Sequence, residues 1–163
     1  MCFKNIVKNA TYIIKNNPKN FYKIKNYLET MNDIDINIFK KFFNKKSNNA
    51  YERLQIGESY RNKEYDYSLE LYLIKWNKYS TSKIHNHSKY GCCMKIIEGG
   101  LLEDIYDKDL KILDNKIYTK NKVGYINDDI GYHKIFNYYS GNTYSLHLYC
   151  DSLYTTEIKY FEV

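Results

Sequence analysis

The chain has 163 residues, a size at which one domain can bury a substantial core. Hydrophobic residues make up 44% of the sequence, which excludes a disordered chain, and no apolar run is long enough to span a bilayer. The net charge of +6 comes mainly from lysines spread along the chain, which is typical of a solvated surface. We therefore expect neither a nucleic acid nor a membrane as a partner.

Residues 1–48 have the pattern of helices. Apolar side chains recur at helical spacing over residues 21–28 and again over residues 36–43, and Asn17-Pro18 is a typical helix start. The aromatic residues of both stretches are expected to face the core.

From residue 65 the pattern changes to the alternation of β-strands. Glu98-Gly99-Gly100 separates two such segments and predicts a hairpin turn. Many short strands at close spacing favour a sandwich or barrel. We predict one mainly β domain over residues 1–163, helical over 1–48 and a β-barrel over 65–163. The predicted strands lie near residues 68–76, 94–97, 101–106, 110–113, 116–120, 122–126, 132–137, 143–150 and 155–162.

The cysteines and the first residues indicate the compartment. Residues 1–10 contain no apolar core of a signal peptide. Cys92 and Cys93 are adjacent, so they cannot easily bridge each other, and no Cys-x-x-Cys motif is present. We expect a monomer in a reducing cytoplasm.

The chain has only four histidines, and two of them form the pair His85-x-His87. Residues two apart on a strand point to the same face, so this pair can present two imidazoles together. With His133 from a later strand, they would make a three-nitrogen site for a divalent metal with positions left open for substrate. A lone histidine is more often an ordinary core or surface residue, but this constellation favours a metal site.

Arginine is rare in this lysine-rich chain and occurs only as Arg53 and Arg61. The planar guanidinium binds a carboxylate through two hydrogen bonds, which lysine cannot copy. Both residues are therefore candidates for binding an acidic group.

Three motifs resemble those of the cysteine dioxygenases, which belong to the cupin superfamily. The first is Ser82–His87 followed by Cys92 and Glu98-Gly99, the second is Tyr125–His133 followed by Asn137, and the third is Ser145–Tyr149. They occur in the order of the family and cover roughly residues 50–150. The resemblance implies a small jelly-roll β-barrel with helices at its N-terminus, which agrees with the pattern described above.

The resemblance also implies a cofactor and a reaction. Members of the family bind ferrous iron through three histidines, here His85, His87 and His133, and use dioxygen to convert cysteine to cysteine sulfinate. Non-haem oxygenases commonly use two histidines and a carboxylate. Cys92 stands where many cupins have a glutamate, so the implied ligand set is neutral, and an incoming thiolate can supply the negative charge.

Further site residues follow from the resemblance. In several members, the cysteine at the position of Cys92 forms a thioether with a tyrosine, which corresponds here to Tyr149. Ser145 and His147 match a hydrogen-bonding relay toward that tyrosine hydroxyl. Cys93 is expected on the opposite strand face.

The substrate carboxylate is bound by an arginine in this family. Counting back from Trp76, Arg61 falls at that position, and Arg53 is expected on the surface. The family often has Tyr-x-Arg, whereas Ser59 stands two residues before Arg61. The chain also departs after Tyr149, where members commonly have a serine and prolines.

We expect an iron-dependent dioxygenase that acts on L-cysteine, with Arg61 pairing the substrate carboxylate. An enzyme for another small thiol such as 3-mercaptopropionate is the first alternative. A non-catalytic metal-binding cupin and a cupin isomerase are alternatives from other classes, and neither a sensor nor a structural module would need an arginine that binds a carboxylate.

Overall fold

The N-terminal segment of the computed structural model is helical, as its pattern predicts. The structure describes residues 3–32, 34–44, 47–154 and 158–162. The Asn17 side chain accepts a hydrogen bond from the Lys19 backbone, and Pro18 follows at the first helical position, so the start signal is used as expected. The helices are α1 (Lys4–Ile14), a 3₁₀ helix (Pro18–Lys23), α2 (Ile24–Glu29) and α3 (Asn37–Lys40). None of the described helices is long and apolar enough to cross a membrane.

The rest of the described chain is built from short antiparallel strands. They are β1 (Tyr51–Gln55), β2 (Tyr60–Asn62), β3 (Tyr67–Trp76), β4 (Ile84–His85), β5 (Gly91–Glu98), β6 (Gly100–Tyr106), β7 (Ile112–Thr119), β8 (Val123–Ile126), β9 (Tyr132–Phe136), β10 (Thr143–Asp151) and β11 (Tyr160–Phe161).

These strands form two sheets that face each other. The first sheet has the order β1-β3-β10-β5-β8, with β2 also paired to β3, and the second has the order β11-β4-β9-β6-β7. Among the described residues no pairing joins the two sheets into a closed barrel, so the jelly roll is an open two-sheet sandwich. The predicted mainly β fold is confirmed.

The central strands of the first sheet are buried on both faces. Leu69, Leu71 and Leu73 of β3 pack with the N-terminal helices, whereas Ile74 and Trp76 belong to the core between the sheets. Strand β10 divides in the same way, because alternate residues of a strand point to opposite faces. Every second residue of these strands is therefore available to line a site between the sheets.

The turn at Glu98-Gly99-Gly100 does not make the predicted hairpin. Strand β5 lies in the first sheet and β6 in the second, so the chain crosses between the sheets at this point. Gly99 has a φ of +82°, and a Cβ there would lie 2.3 Å from the Thr143 hydroxyl. The glycine therefore permits a close crossover that resembles a hairpin in sequence.

Three other boundaries differ from the sequence prediction. Strands β1 and β2 precede residue 65, where no strand was predicted. They escaped prediction because they are half exposed and lack a clear apolar alternation. The segments predicted near 110–113 and 116–120 form the single strand β7. The polar residues between them do not interrupt the strand, because β7 is largely exposed. The last predicted strand is reduced to β11, and residues 155–157 of that prediction lie outside the described residues.

Leu73 provides a test of the doubly covered sheet. Leu73 is fully buried, so Leu73→Ala should lower the free energy of unfolding by about 2–5 kcal/mol, since it removes methyl groups and leaves a cavity. Leu113→Ala is the matched control, because Leu113 is 58% exposed on β7 and should change stability by about 0.5 kcal/mol or less. Urea denaturation measures both. Equal losses would contradict the described packing.

Candidate metal centre and active site

Three histidines meet at one end of the space between the sheets. His85 of β4 and His133 of β9 are cross-strand partners in the second sheet, and His87 lies two residues after the end of β4. One ligand atom from each ring can be chosen so that all lie within 4.8 Å of one another. No other cluster of three or more potential metal ligands occurs in the described part of the chain. The predicted ligand residues are therefore brought together by the fold.

The ring geometry fits a shared ion. The Nε2 atoms of His85 and His133 are 3.2 Å apart, a separation that two nitrogen ligands of one ion can adopt. The His87 and His133 ring centroids are 4.2 Å apart. The Nδ1 atom of His87 is buried and has no hydrogen-bond partner among the described residues. Three converging imidazoles, two buried and one half-buried, with incomplete hydrogen bonding match a metal site better than a packed core.

Burial keeps these rings neutral. Desolvation lowers the pKa of His85, and it lowers the pKa values of His87 and His133 well below the ordinary range, with the neighbouring histidines adding to the effect. The rings therefore offer lone pairs at neutral pH. Because no carboxylate joins them within the cluster, the ligand set carries no charge.

Each histidine is held by a different contact. The Nδ1 atom of His85 is 2.9 Å from the backbone oxygen of Lys83, and Nδ1 of His133 is 2.5 Å from Oε1 of Glu103. The backbone N–H of His87 donates to Asp128 over 2.6 Å. The loop that carries Asp128 thus fixes the backbone between the two histidines of the pair.

Glu103 is a site residue that the sequence reasoning missed. Its carboxylate is buried, and burial raises its pKa to about 7. Tyr118 of β7 donates to its second oxygen over 2.9 Å. A signal was present in the sequence: Leu101, Glu103 and Ile105 occupy the alternate positions of one strand face, so Glu103 takes a place where an apolar residue is expected.

The first sheet provides the opposite wall through Cys92 and Tyr149. The two residues are directly paired on β5 and β10, and their side chains pack against each other. Burial raises the pKa of both groups, so thiol and phenol remain protonated at neutral pH. Cys93 is buried with the helices on the other face, which is where strand alternation places it.

A chain of hydrogen bonds runs from Trp76 through Ser145 and His147 to Cys92. Trp76 donates its indole N–H to the Ser145 hydroxyl over 2.8 Å, and Ser145 lies 2.8 Å from Nε2 of His147. Since indole only donates, the Ser145 hydrogen is free to be donated to His147. The Nδ1 atom of His147 then faces the Cys92 sulfur at 3.7 Å. The Ser145–His147 relay therefore exists, but it ends at Cys92, next to Tyr149.

Arg53, and not Arg61, lies beside the histidines. A small cavity of about 40 Å³, here called the histidine cavity, is lined by the three histidines, Cys92, Tyr149, Tyr51 and Arg53. The Arg53 guanidinium carbon lies 4.2 Å from the Tyr72 ring centroid and 5.1 Å from that of Tyr149. Arg61 lines only a neighbouring outer pocket of about 310 Å³, which Arg53 and Tyr149 also border. An arginine therefore lies near the histidines, as expected, but it is Arg53 and not Arg61.

The displacement has a structural reason. Arg53 of β1 pairs with Ile74 of β3, two residues from Trp76, whereas Arg61 belongs to the additional strand β2. Counting back from Trp76 ignores the excursion that contains β2. Tyr51 also lines the histidine cavity, so Tyr51-Glu52-Arg53 supplies the Tyr-x-Arg spacing that Ser59-Tyr60-Arg61 lacks. That three-residue pattern was the signal that could have identified Arg53.

The two-sheet fold with a three-histidine centre defines a cupin-type metal-binding protein. Among solved structures, the fold resembles oxalate oxidase in complex with glycolate, with a TM-score of 0.52 and 14% identity over 72% of this chain and 58% of that chain. It also resembles a cupin superfamily protein from Desulfitobacterium hafniense, with a TM-score of 0.51 and 11% identity over 69% of this chain and 86% of that one.

The sequence narrows the class to one family. The model of the family described as cysteine dioxygenase type I matches residues 67–162, and the chain belongs to that family. The chain is 25% identical over 150 residues to cysteine dioxygenase type 1 of Danio rerio, a match that covers 74% of each chain. It is 31% identical over 86 residues to cysteine dioxygenase type 1 of Homo sapiens, covering 48% of this chain and 43% of that relative.

The ligand set is tested by comparing two buried histidines. His133→Ala should lose most of its bound Co(II), a divalent probe that is stable in air, because one of three converging nitrogens is removed. His147→Ala removes an equally buried ring outside the cluster and should retain Co(II) near the wild-type content. Metal analysis after gel filtration measures both, with circular dichroism to confirm folding. Retention of Co(II) by His133→Ala would contradict the ligand set.

Proposed function

We propose that this chain is an iron-dependent thiol dioxygenase that oxidises L-cysteine with dioxygen to cysteine sulfinate. The observation that carries the proposal is one small cavity with three neutral histidines on one wall and an arginine at its mouth. Ferrous iron, when bound by His85, His87 and His133, would supply the redox chemistry that joins both oxygen atoms to sulfur. Membership of the cysteine dioxygenase type I family supports this reading.

The charges of the site suit a small anionic thiol. The neutral histidines leave the positive charge of a divalent ion uncompensated, which favours a ligand that arrives as a thiolate. Arg53 provides the second positive charge, at the other side of the cavity, and its fork matches a carboxylate. The histidine cavity of about 40 Å³ cannot hold a peptide, and a small thiol would occupy it together with part of the outer pocket of about 310 Å³ that Arg53 also borders.

We assign the carboxylate to Arg53 rather than to Arg61. Arg53 borders both the histidine cavity and the outer pocket, so it can meet a substrate that enters from outside. The face of the guanidinium rests near the Tyr72 and Tyr149 rings, and these contacts restrict its orientation. Tyr51, two residues earlier on the same strand face, would contribute a hydroxyl to the same end of the cavity.

Cys92 and Tyr149 would position the substrate from the opposite wall. Burial keeps Tyr149 protonated, so its hydroxyl can donate a hydrogen bond to substrate or oxidant. The Ser145–His147 relay would hold the Cys92 sulfur in place. A fixed phenol in a small cavity lowers the entropy cost of reaching the reactive geometry.

A direct assay tests the proposal. The protein is loaded with Fe(II) without oxygen, and dioxygen consumption is then followed with L-cysteine and with 3-mercaptopropionate. Cysteine should be consumed together with oxygen, and ¹⁸O₂ should place two labelled atoms in the sulfinate. Consumption only with 3-mercaptopropionate would identify the alternative thiol. Stoichiometric iron without oxygen consumption for any small thiol would contradict the dioxygenase and favour a non-catalytic cupin.

The two arginines give a matched pair of variants. Arg53→Lys keeps the charge but loses the two-point geometry, so kcat/KM for cysteine should fall by about 2 kcal/mol, or about thirtyfold. This is a lower value than for a fully buried pair, because Arg53 is exposed to solvent, as expected from the sequence. Arg61→Lys should change kcat/KM by less than about twofold. A larger effect at Arg61 would return the carboxylate to that residue.

The Cys92–Tyr149 pair is expected to form a thioether during turnover. A bond would form between the Cys92 sulfur and the ring carbon beside the Tyr149 hydroxyl, with loss of two hydrogens to dioxygen as oxidant. Intact-protein mass spectrometry after turnover should show a deficit of about two mass units in part of the wild type. Cys92→Ser should lack the deficit and retain some activity, whereas Cys93→Ser should keep it. A turning-over wild type without any deficit would exclude the link.

A further inference from the structure

We propose that Glu103 is a positioning residue that fixes the tautomer and orientation of His133, and that Tyr118 in turn fixes Glu103. The inference rests on the metal site of the proposed function and adds two residues to it. The starting observation is the 2.5 Å contact between Nδ1 of His133 and Oε1 of Glu103. Among the described contacts, the Nδ1 atom of His85 has a backbone oxygen instead, and that of His87 has no partner.

The burial of Glu103 has no explanation in the fold alone. Glu103 is 2% exposed, and removing a carboxylate from water is costly unless it is paired. The glutamates that form ion pairs in the described chain, such as Glu52 and Glu98, are more exposed than Glu103 and contact lysines. Glu103 instead contacts the neutral ring of His133, whose Nε2 faces His85. The contact with His133 therefore accounts for the burial of the Glu103 carboxylate.

Tyr118 is built into the same arrangement. Seven of the eight residues of β7 are exposed, and Tyr118 is the buried exception. Its hydroxyl donates to Oε2 of Glu103 over 2.9 Å, so both carboxylate oxygens have partners. Gly124 leaves the space that the phenol occupies, since a Cβ at that position would lie 2.9 Å from the Tyr118 oxygen. Tyr118 of β7 and Gly124 of β8 therefore both help to fix the position of the Glu103 carboxylate.

The consequence for His133 follows from hydrogen-bond chemistry. Once ionised, the Glu103 carboxylate only accepts, so the neutral His133 ring must then carry its hydrogen on Nδ1. The lone pair then lies on Nε2, the atom that faces His85 at 3.2 Å. The negative carboxylate also makes the ring a stronger electron donor. Partners of this kind change metal affinity by about 10–100-fold in known sites.

Two readouts test the proposal. The first is ¹⁵N long-range NMR of the metal-free protein at mildly alkaline pH, where Glu103 is ionised, and it reports the tautomer of each histidine. The wild type should show the Nδ1–H form at His133, and Glu103→Ala should show a mixture. The second is the Kd for Co(II), measured by competition with a chelator.

The variants separate charge from geometry. Glu103→Gln can still accept from Nδ1–H, so it should weaken Co(II) binding by about tenfold, whereas Glu103→Ala should weaken it by about 100-fold. Tyr118→Phe leaves the carboxylate but frees its second oxygen, so its effect should be smaller than tenfold. Glu52→Gln, which removes another glutamate charge in an ion pair with Lys75, should leave the Kd unchanged. Circular dichroism confirms that each variant is folded.

The outcomes distinguish two failures. A folded wild type that binds no Co(II) would contradict the proposed metal function, and the NMR readout would still decide whether Glu103 sets the His133 tautomer. A wild type that binds Co(II), with Glu103→Gln and Glu103→Ala equal to it in both Kd and tautomer, would overturn the role of Glu103.

Discussion

The site depends on one constraint, the burial of the first sheet on both faces. Helices cover its outer face and the second sheet covers its inner face, so neighbouring residues of β3, β5 and β10 enter different environments. Cys93 joins the helical core, while Cys92 faces the histidines. The same alternation brings Ser145, His147 and Tyr149 to one wall. A shift of one residue in register would replace this wall with leucines.

Desolvation by burial determines which groups of the site carry charge. Desolvation keeps four histidines neutral and keeps Cys92 and Tyr149 protonated, so the buried wall of the cavity is close to uncharged. The two groups near the cavity that can carry charge are Glu103, which contacts His133, and Arg53, which lies at the mouth. An added divalent ion would therefore be the dominant charge in the cavity. With such an ion bound, we expect the cavity to favour an anionic ligand.

Local patterns in the sequence predicted the parts of the site that depend on local geometry. The spacing of His85 and His87, the resemblance around His133 and the opposite directions of Cys92 and Cys93 depend on neighbouring residues of a strand. Arg53 was missed because the excursion containing β2 changes the distance to Trp76. Glu103 was missed because its partner is thirty residues away in sequence. The supposed hairpin failed because a glycine turn looks the same whether its strands pair or change sheets.

A crystal structure of the Fe(II)-loaded protein, soaked with L-cysteine without oxygen, tests the central claim most directly. The account predicts one cysteine in the histidine cavity, with its sulfur toward His85, His87 and His133 and its carboxylate within hydrogen-bonding distance of the Arg53 guanidinium. Cysteine bound with its carboxylate on Arg61, or an iron-loaded cavity that takes up no cysteine, would contradict it.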